Sequence, residues 1–348
     1  MSVSWGGIPP QCLAPLAWAY EAAVRARNRR YDRPGATQRV SLPVLSVGNL
    51  VVGGTGKTPT VAWLASRLVA TGARPAIVSR GYGGRAGRGP LLVSVGDGPR
   101  CAARVCGDEP FLLARTVRGA VVIVGADRLH GAELARAHGA GSVVLDDGFQ
   151  HRRLARDLDI VLLDAEQPFG NGRLLPAGPL REPLEALARA DVLVLTRARE
   201  ARVPPEVQSA VEAHRPGIPV LRASFRRVGF VDAAGLPVDA PRRAVAFCGI
   251  ARPASFRTEL EAAGVEIAWF RTFADHHPFR ARELRALADA ARRAEGRLVT
   301  TEKDLARLAA TWPGDPAGAP LALRIELVVH DPEPLLDAVE RALSRRAA

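Results

Sequence analysis

One stretch decides the fold of this 348-residue chain, and it reads Val44-Leu45-Ser46-Val47-Gly48-Asn49-Leu50-Val51-Val52-Gly53-Gly54-Thr55-Gly56-Lys57-Thr58-Pro59. It begins with an apolar run that predicts a buried strand, continues through a glycine-rich turn, and opens a helix at Lys57. This order is typical of a phosphate-binding P-loop, in which backbone N–H groups and the helix N-terminus hold the anion. A glycine-rich turn that binds nothing is the alternative, and the flanking strand and helix argue against it.

The P-loop residues have separate predicted roles. Lys57 reaches the β- and γ-phosphates, and the hydroxyl of Thr58 holds Mg²⁺. The predicted nucleotide-binding residues are Val51, Val52, Gly53, Gly54, Thr55, Gly56, Lys57 and Thr58. The first position of G-x-x-x-x-G-K-T, normally glycine, is Val51, so this loop is a variant.

Lysine is rare among the basic residues. Of 48 basic residues only Lys57 and Lys303 are lysine. A guanidinium cannot replace a compact ammonium in a phosphate cradle. The usage therefore supports a phosphate role for Lys57 and suggests a special role for Lys303, although a GC-rich genome would also favour arginine.

The composition is that of a globular protein with one large or two medium domains: 47% of residues are hydrophobic and 24% are charged. The net charge of +12 predicts acidic partners such as an anionic membrane or a phosphorylated substrate. Aromatic residues are few and do not interleave with the basic ones, so we expect no nucleic acid. The four cysteines form no C-x-x-C pair, which argues against a zinc site.

The N-terminus is fairly apolar over residues 5–20 but contains three prolines. It is shorter than the ~20 apolar residues of a spanning helix. Arginines follow the apolar part, whereas in a secretory signal the charges precede it. We assign residues 1–34 to a membrane-associating helix that lies on an anionic leaflet. A helix packed on the protein with a solvated basic end stays open as the alternative.

Apolar strands and amphipathic helices alternate from residue 43 to residue 214, which predicts a doubly wound parallel α/β sheet of the P-loop NTPase type. The pattern of alternating strands and helices changes near residue 221. We predict a P-loop core domain at 35–222, a two-stranded β-linker at 223–243, and a smaller C-terminal α/β domain at 244–348.

Two acidic pairs lie at the ends of predicted elements. They are candidate ligand contacts because ligands of a parallel sheet bind beyond the carboxyl ends of its strands. Asp146 and Asp147 end an apolar strand, as in a Walker-B element that holds Mg²⁺. Two acids that merely start a turn are the alternative there. Asp108 and Glu109 precede a predicted helix, where capping alone would explain them.

Three further motifs carry possible chemistry. The loop at residues 80–85 holds three glycines and two arginines, and it is either a phosphate-facing flap or a surface loop. The segment Asp275-His276-His277 has no third metal ligand at suitable spacing, but a carboxylate oriented by one of these histidines would make a general base for a hydroxyl. Residues 301–304 predict a strand end and a helix cap, with function as the lesser alternative.

Together these motifs resemble the tetraacyldisaccharide 4'-kinases (lipid A 4'-kinases), which phosphorylate a lipid A precursor at the cytoplasmic face of the Gram-negative inner membrane. The resemblance covers nearly the whole chain. Besides the P-loop, it rests on Ser79-Arg80-Gly81-Tyr82-Gly83, Gly107-Asp108-Glu109-Pro110, Asp146-Asp147-Gly148-Phe149-Gln150-His151, the run from Gly172 to Pro183, Phe273-Ala274-Asp275-His276 and Thr301-Glu302-Lys303-Asp304.

The resemblance implies a role for each matched residue. Asp108 is the expected catalytic base, paired with His276, and Lys57 serves catalysis at the phosphates of ATP. The expected Mg²⁺ ligands are Thr58, Asp146, Asp147 and Glu109. The expected substrate contacts are Arg80, Arg128, His151, Arg181 and Glu182. We choose His276 over His277 because it directly follows the acid in the family's pattern.

The predicted function is ATP-dependent transfer of the γ-phosphate to the 4'-hydroxyl of a tetraacyldisaccharide 1-phosphate, in lipid A biosynthesis. The expected partners are this acylated lipid and the anionic inner-membrane surface, with no obligate protein partner. One alternative is a P-loop ATPase or GTPase switch, although residues 196–199 lack the N/T-K-x-D pattern that reads guanine. The other is a membrane-surface adaptor with a vestigial P-loop. The presence of Lys57, Thr58 and Asp146 argues against it.

Overall fold

The computed structural model describes residues 9–85, 87, 89–198, 202–308, 312 and 318–346. Its strands are β1 Val44–Asn49, β2 Pro75–Ser79, β3 Leu91–Ser94, β4 Val121–Val124, β5 Ser142–Asp146, β6 Leu158–Asp164, β7 Val192–Thr196, β8 Val220–Val231, β9 Pro237–Val238, β10 Arg243–Cys248, β11 Glu266–Thr272, β12 Arg297–Thr301 and β13 Leu321–His330. Its α-helices are α1 Ala14–Tyr31, α2 Lys57–Ala70, α3 Ala103–Cys106, α4 Asp108–Thr116, α5 Arg128–Ala137, α6 Pro205–His214, α7 Pro253–Ala262, α8 Ala281–Arg293, α9 Glu302–Leu308 and α10 Glu333–Ser344.

Across the described ranges, one sheet holds all of these strands in the order β11-β10-β12-β13-β8-β7-β6-β1-β5-β2-β4-β3, and β9 pairs with β8. Neighbouring strands are parallel except for the pairs β3–β4, β8–β13 and β8–β9. The predicted α/β class with a mainly parallel, doubly wound sheet is confirmed.

The burial of the inner strands shows that the sheet is covered on both faces. Every residue of β1, β4, β5, β6 and β7 is buried, and most are apolar, as expected of parallel strands between two helix layers. Alternate residues contribute to different cores. Leu45 and Val47 of β1 pack with α2, whereas Val44 packs in a cluster that includes α5. The P-loop therefore follows a strand held rigidly from both sides.

Strand β8 joins the two predicted domains. Its first residues pair in parallel with β7, and its remaining length pairs antiparallel with β13. The segment at 223–243, predicted as a two-stranded linker, contains most of β8 and the short strand β9, which pair around the turn. Because β8 is shared, the sheet continues from the P-loop half into the C-terminal half.

The last helix returns to the first half of the chain. Leu335, Ala338 and Val339 of α10 are buried in the same core cluster as Leu45 of β1, and α10 contacts β1 and β6. The side chain of Arg346 pairs with Asp157 at 3.0 Å. Residues 333–344, which the sequence analysis grouped with the C-terminal domain, thus pack on the P-loop half, because their apolar face covers its central strands.

Helix α1 is attached to the loop that follows β6. The hydroxyl of Tyr20 donates to the carbonyl of Arg181 at 2.9 Å, and the amide of Asn28 donates to Glu182 Oε2 at 2.7 Å. The first eight residues of the predicted membrane segment lie outside the described residues. On the outer side of α1, Leu16 is 60% and Trp18 69% exposed. Among the helices described, none has the length and apolar character needed to cross a bilayer.

Candidate active site

A cleft of about 1960 Å³ lies at the carboxyl edge of the sheet. The P-loop, Asp146 and Asp147 form its floor, and the loop after β2 and the start of α4 form one wall. His276 and Lys303 approach from the C-terminal half. The strand ends that the sequence analysis marked as acidic therefore meet the P-loop in one cavity, as expected of an open parallel sheet.

The P-loop adopts a backbone that requires glycine. Gly53 and Gly56 have φ values of +115° and +86°. A Cβ atom on Gly56 would also lie 2.8 Å from Cζ of Phe225. The loop is fixed by a hydrogen bond from Asn49 Nδ2 to Thr55 Oγ1 at 2.7 Å. Helix α2 begins directly at Lys57, so its free N–H groups and positive dipole end lie at the loop.

The variant position Val51 has a structural reason. Val51 forms an isolated antiparallel bridge with Leu180, and the amide of Val52 donates to the carbonyl of Pro179 at 2.8 Å. The amide of Arg181 donates to the carbonyl of Leu50 at 2.7 Å. The first part of the loop is thus extended backbone paired with residues 179–181, where a β-branched valine fits better than glycine.

Two adjacent aspartates differ in protonation behaviour. Asp146 is buried and accepts from Ser79 Oγ at 3.1 Å. Burial, together with repulsion from Glu109 and Asp147, raises the pKa of Asp146 to about 7. Burial also raises the pKa of Asp147, but Lys57 and Arg181 outweigh it and lower the pKa overall. Arg181 Nη1 lies 2.8 Å from both oxygens of Asp147 and Lys57 Nζ lies 3.6 Å from one of them.

Asp108 begins α4 with its carboxylate buried against the C-terminal half. Its Oδ2 lies 3.2 Å from His276 Nδ1 and accepts from Arg307 Nε at 2.9 Å, while its Oδ1 accepts from the amide of Glu109 at 3.1 Å. Burial raises the pKa of Asp108, but His276, Lys303 and Arg307 outweigh burial and lower the pKa overall. The carboxylate is therefore held in its ionised form.

The two neighbouring histidines occupy different environments. His276 has a positive φ of +59°, which turns its ring towards Asp108 and onto Tyr82, with ring centroids 5.8 Å apart. His277 instead binds Glu283 at 2.9 Å and stacks on Phe273. The geometry therefore favours His276 as the partner of Asp108. Strained backbone of this kind concentrates at functional sites.

The glycine-rich loop after β2 packs directly on the start of α4. A Cβ atom on Gly84 would lie 2.6 Å from the carbonyl oxygen of Val105, and one on Gly107 would lie 2.7 Å from that of Tyr82. The glycines of both motifs are thus explained by close backbone contact between them. Arg80 and Tyr82 of this loop line the cleft, as the flap interpretation expects.

Most of the predicted substrate residues share this cleft. Arg80, Arg128, His151 and Arg181 line it. Buried Arg128 donates from Nη1 to the carbonyl of Gly125, and its Nε has no hydrogen-bond partner among the described residues. Burial and Arg128 lower the pKa of His151 to about 4, so its ring is neutral. Arg128 and Arg181 add positive charge close to Asp147, and His151 adds a neutral ring to the cleft.

Glu182 is the exception, because the structure places it away from the cleft. Its fully buried carboxylate accepts from Asn28 Nδ2 at 2.7 Å and from Arg189 Nη2 at 3.0 Å, and Arg27 lies 3.6 Å away. A buried carboxylate requires such partners. Glu182 therefore holds α1 onto the P-loop half and does not line the cleft.

An ion cluster beside the P-loop was not predicted from the sequence. Asp164, at the end of β6, accepts from Arg197 at 2.6 Å and lies 2.7 Å from Arg252 of the C-terminal half. Arg197 also donates to the carbonyl of Gly54 at 2.9 Å. The cluster thus connects the glycine-rich turn with the second half of the chain.

Lys303, for which the sequence suggested a special role without naming it, also contacts the site. Its ammonium lies 3.2 Å from His276 Nε2, 3.2 Å from Glu109 Oε1 and 3.5 Å from Asp275 Oδ1. Its segment was predicted mainly as a helix cap. The available signal was the rarity of lysine, which singled out Lys57 and Lys303 alone.

The cleft fits a magnesium ion, although the described residues contain no group of three His, Cys, Asp or Glu side chains arranged as a complete protein metal site. Mg²⁺ is commonly bound by one or two carboxylates together with water and substrate phosphates. Thr58, Asp146 and Asp147 offer such a set beside the phosphate loop, with Glu109 nearby. Burial raises the pKa of Asp146, and repulsion from Glu109 and Asp147 raises it further; a divalent cation relieves this repulsion.

Comparisons with known proteins agree with one another. A family model described as Tetraacyldisaccharide-1-P 4'-kinase matches residues 10–344. A tetraacyldisaccharide 4'-kinase of an Anaeromyxobacter species is 43% identical over 344 residues, which is 96% of this chain and 92% of the relative. One from Rhodopseudomonas palustris is 44% identical over 345 residues, which is 98% of this chain and 97% of the relative.

A solved structure is similar over the same extent. The crystal structure of the "apo" form of LpxK from Aquifex aeolicus in complex with ATP superimposes with a TM-score of 0.78 at 31% sequence identity. The match covers 96% of this chain and 99% of that one.

Proposed function

The chain belongs to the tetraacyldisaccharide-1-P 4'-kinase family, and we propose that its cleft transfers the γ-phosphoryl group of ATP to the 4'-hydroxyl of a tetraacyldisaccharide 1-phosphate. This reaction belongs to lipid A biosynthesis. The family membership confirms the predicted enzyme class and decides against both the switch and the adaptor. ATP is the phosphoryl donor, in agreement with the ATP-bound relative.

The observation that carries the mechanism is the pairing of buried Asp108 with His276, which lines the same cleft as the P-loop. Asp108 is ionised, buried and at the start of α4, so it can accept a proton from a bound hydroxyl. As the sugar oxygen forms its bond to the γ-phosphorus, the bond from that phosphorus to the β–γ bridging oxygen breaks and ADP leaves. The hydroxyl proton passes to Asp108, and His276 holds the carboxylate in position.

The charge that develops during transfer is met by fixed groups of the P-loop. The N-terminus of α2 and the Lys57 ammonium lie where the β- and γ-phosphates are expected, and such preorganised charge supplies most of the catalysis of phosphoryl transfer. Thr58, Asp146 and Asp147 would hold Mg²⁺, with Glu109 as a further candidate. When bound, Mg²⁺ neutralises phosphate charge. Arg80, Arg128, His151 and Arg181 are proposed to bind the phosphate-bearing headgroup.

The test of this proposal is transfer of labelled phosphate from ATP into purified tetraacyldisaccharide 1-phosphate. We expect labelled lipid with the wild type and nearly none with His276→Gln. His277→Gln is the matched control, because His277 faces Glu283 and should leave transfer unchanged. Free ATP hydrolysis without labelled lipid in the wild type would refute the kinase proposal.

Membrane association is proposed for α1 at the cytoplasmic face of the inner membrane. The support is the exposed pair Leu16 and Trp18 on a helix whose last turn carries Arg29 and Arg30. Such a helix suits the boundary of an anionic leaflet. Sedimentation with phosphatidylglycerol vesicles tests this: the double change Leu16→Ser and Trp18→Ser should release the protein. Equal sedimentation of the variant would exclude these side chains as the anchor.

A further inference from the structure

The hydrogen-bond acceptors around Lys303 are arranged as an ammonium group requires. A lysine side chain has three N–H donors and no acceptor. Its Nζ faces three acceptors, namely His276 Nε2 at 3.2 Å, Glu109 Oε1 at 3.2 Å and Asp275 Oδ1 at 3.5 Å. Each of the three N–H donors therefore has a partner, and two of the three partners are carboxylates.

This contact determines the protonation pattern of the His276 ring. Because Lys303 can only donate, Nε2 of His276 must be the acceptor. The single proton of the neutral ring then resides on Nδ1, which faces the Asp108 carboxylate at 3.2 Å. The opposite tautomer would direct an N–H at the ammonium and a lone pair at the carboxylate, and both contacts would be repulsive.

The placement of Lys303 is rigid. Helix α9 begins one residue before it, and the fully buried Asp304 fixes that start by accepting from Thr301 Oγ1 at 2.7 Å and from the amide of Gly249 at 3.0 Å. Arg307, one turn further along α9, donates to Asp108. Helix α9 therefore approaches Asp108 from two sides, directly through Arg307 and through His276 by way of Lys303.

We propose that Lys303 is a positioning residue of the phosphoryl-transfer site: its ammonium fixes the Nδ1-protonated tautomer and the ring orientation of His276, and links this histidine to Glu109 across the contact between α4 and α9. The kinetic consequence rests on the proposed function, whereas the tautomer does not. The role explains why lysine stands here in a chain that otherwise uses arginine almost throughout, since a planar guanidinium cannot serve three acceptors grouped around one nitrogen.

The first experiment reads the tautomer without turnover. Full-length protein labelled with ¹⁵N-histidine is studied by long-range ¹H–¹⁵N correlation, above the pH at which His276 titrates, and a His276→Gln sample assigns the signal. We expect a protonated Nδ1 and an unprotonated Nε2 in the wild type, and loss of this single tautomer in Lys303→Met. An unchanged Nδ1 tautomer in Lys303→Met, or an Nε2-protonated wild type, would overturn the inference.

The second experiment measures lipid phosphorylation by the same variants. Lys303→Met should lower kcat by about 10- to 100-fold while the KM for ATP changes less than about threefold, because misplacement of a catalytic pair affects the chemical step. Lys303→Arg should recover part of kcat, since it restores a donor to Nε2. A variant that changes only its requirement for Mg²⁺, with normal kcat, would assign Lys303 to the metal side through Glu109 and overturn the proposal.

Glu302→Gln is the matched control. It removes an ion pair with Arg324 at 3.0 Å from the adjacent position of α9, without touching His276. We expect the wild-type tautomer and kcat in this variant, and a kcat loss equal to that of Lys303→Met would mean that α9 acts only as structure. If the wild type transfers no phosphate to lipid, the proposed function fails, and the tautomer measurement still decides the role of Lys303.

Discussion

Replacing Gly107 by alanine should displace Asp108 while leaving the P-loop intact. Gly107 has φ +96° and ψ +155°, a backbone region that is essentially restricted to glycine. An alanine Cβ there would lie 2.7 Å from the carbonyl oxygen of Tyr82 and 3.3 Å from the carbonyl carbon of Gly81. Both contacts are with backbone, so no side-chain rotation relieves them. Either the loop after β2 or the start of α4 must move.

The expected cost has two parts. The unfavourable backbone region contributes roughly 1–3 kcal/mol. Overpacking against the Tyr82 carbonyl contributes a further ~1–3 kcal/mol. The total loss in the free energy of unfolding is then roughly 2–6 kcal/mol. Because Asp108 is the next residue, a shift of about 1 Å would also reduce kcat by about 100-fold.

Gly72→Ala is the matched control, because Gly72 has a φ of +81° but nothing within 4 Å of the added Cβ. This variant should lose only ~1–2 kcal/mol from backbone strain and should keep wild-type kcat. The assay compares melting temperature, ATP affinity and lipid phosphorylation for both variants. The reasoning is refuted if Gly107→Ala melts no lower than Gly72→Ala and turns over lipid at the wild-type rate.

Three further predictions concern the acids and the buried histidine. Asp108→Asn should lower kcat by about 10²- to 10⁴-fold with ATP affinity retained, and near-normal turnover would remove Asp108 from the role of base. Asp146→Asn should raise the Mg²⁺ concentration for half-maximal transfer by about tenfold, as measured by titration from chelated enzyme, and an unchanged midpoint would exclude it as a ligand. His151 has a folded pKa of about 4, below its ordinary 6.5, so the unfolded chain binds a proton more readily than the folded protein. The free energy of unfolding of the wild type should therefore fall by up to ~3 kcal/mol as the pH is lowered from 6.5 to 4. His151→Gln should lose less stability over that range in thermal melts, and equal losses would contradict the burial of a neutral ring.

Local patterns were enough to predict the sheet and the floor of the cleft. Buried parallel strands are continuous apolar runs, and the acids at their ends stay close in sequence to the strands that position them. Asp146 is the last residue of β5 itself, and Asp147 follows it with a positive φ of +56°. Such features follow from a few consecutive residues.

Contacts between distant segments could not be predicted in this way. Lys303 meets Glu109 because α9 packs on α4, a contact between residues far apart in the chain. Arg181 and Glu182 were both expected at the cleft, yet they separate. The chain bends directly after the bridge at Leu180, and the two consecutive side chains point in different directions. Only the tertiary structure shows that Arg181 faces Asp147 while Glu182 faces α1.

The return of α10 to the P-loop half has a consequence for the order in which this protein is made. The ribosome releases β1 and its phosphate loop well before the helix that covers β1 and β6, because the C-terminal half lies between them in the sequence. Until then the nascent chain carries an open apolar face on its central strands. The apolar core of the nucleotide-binding half is therefore complete only after the C-terminal half has been synthesised.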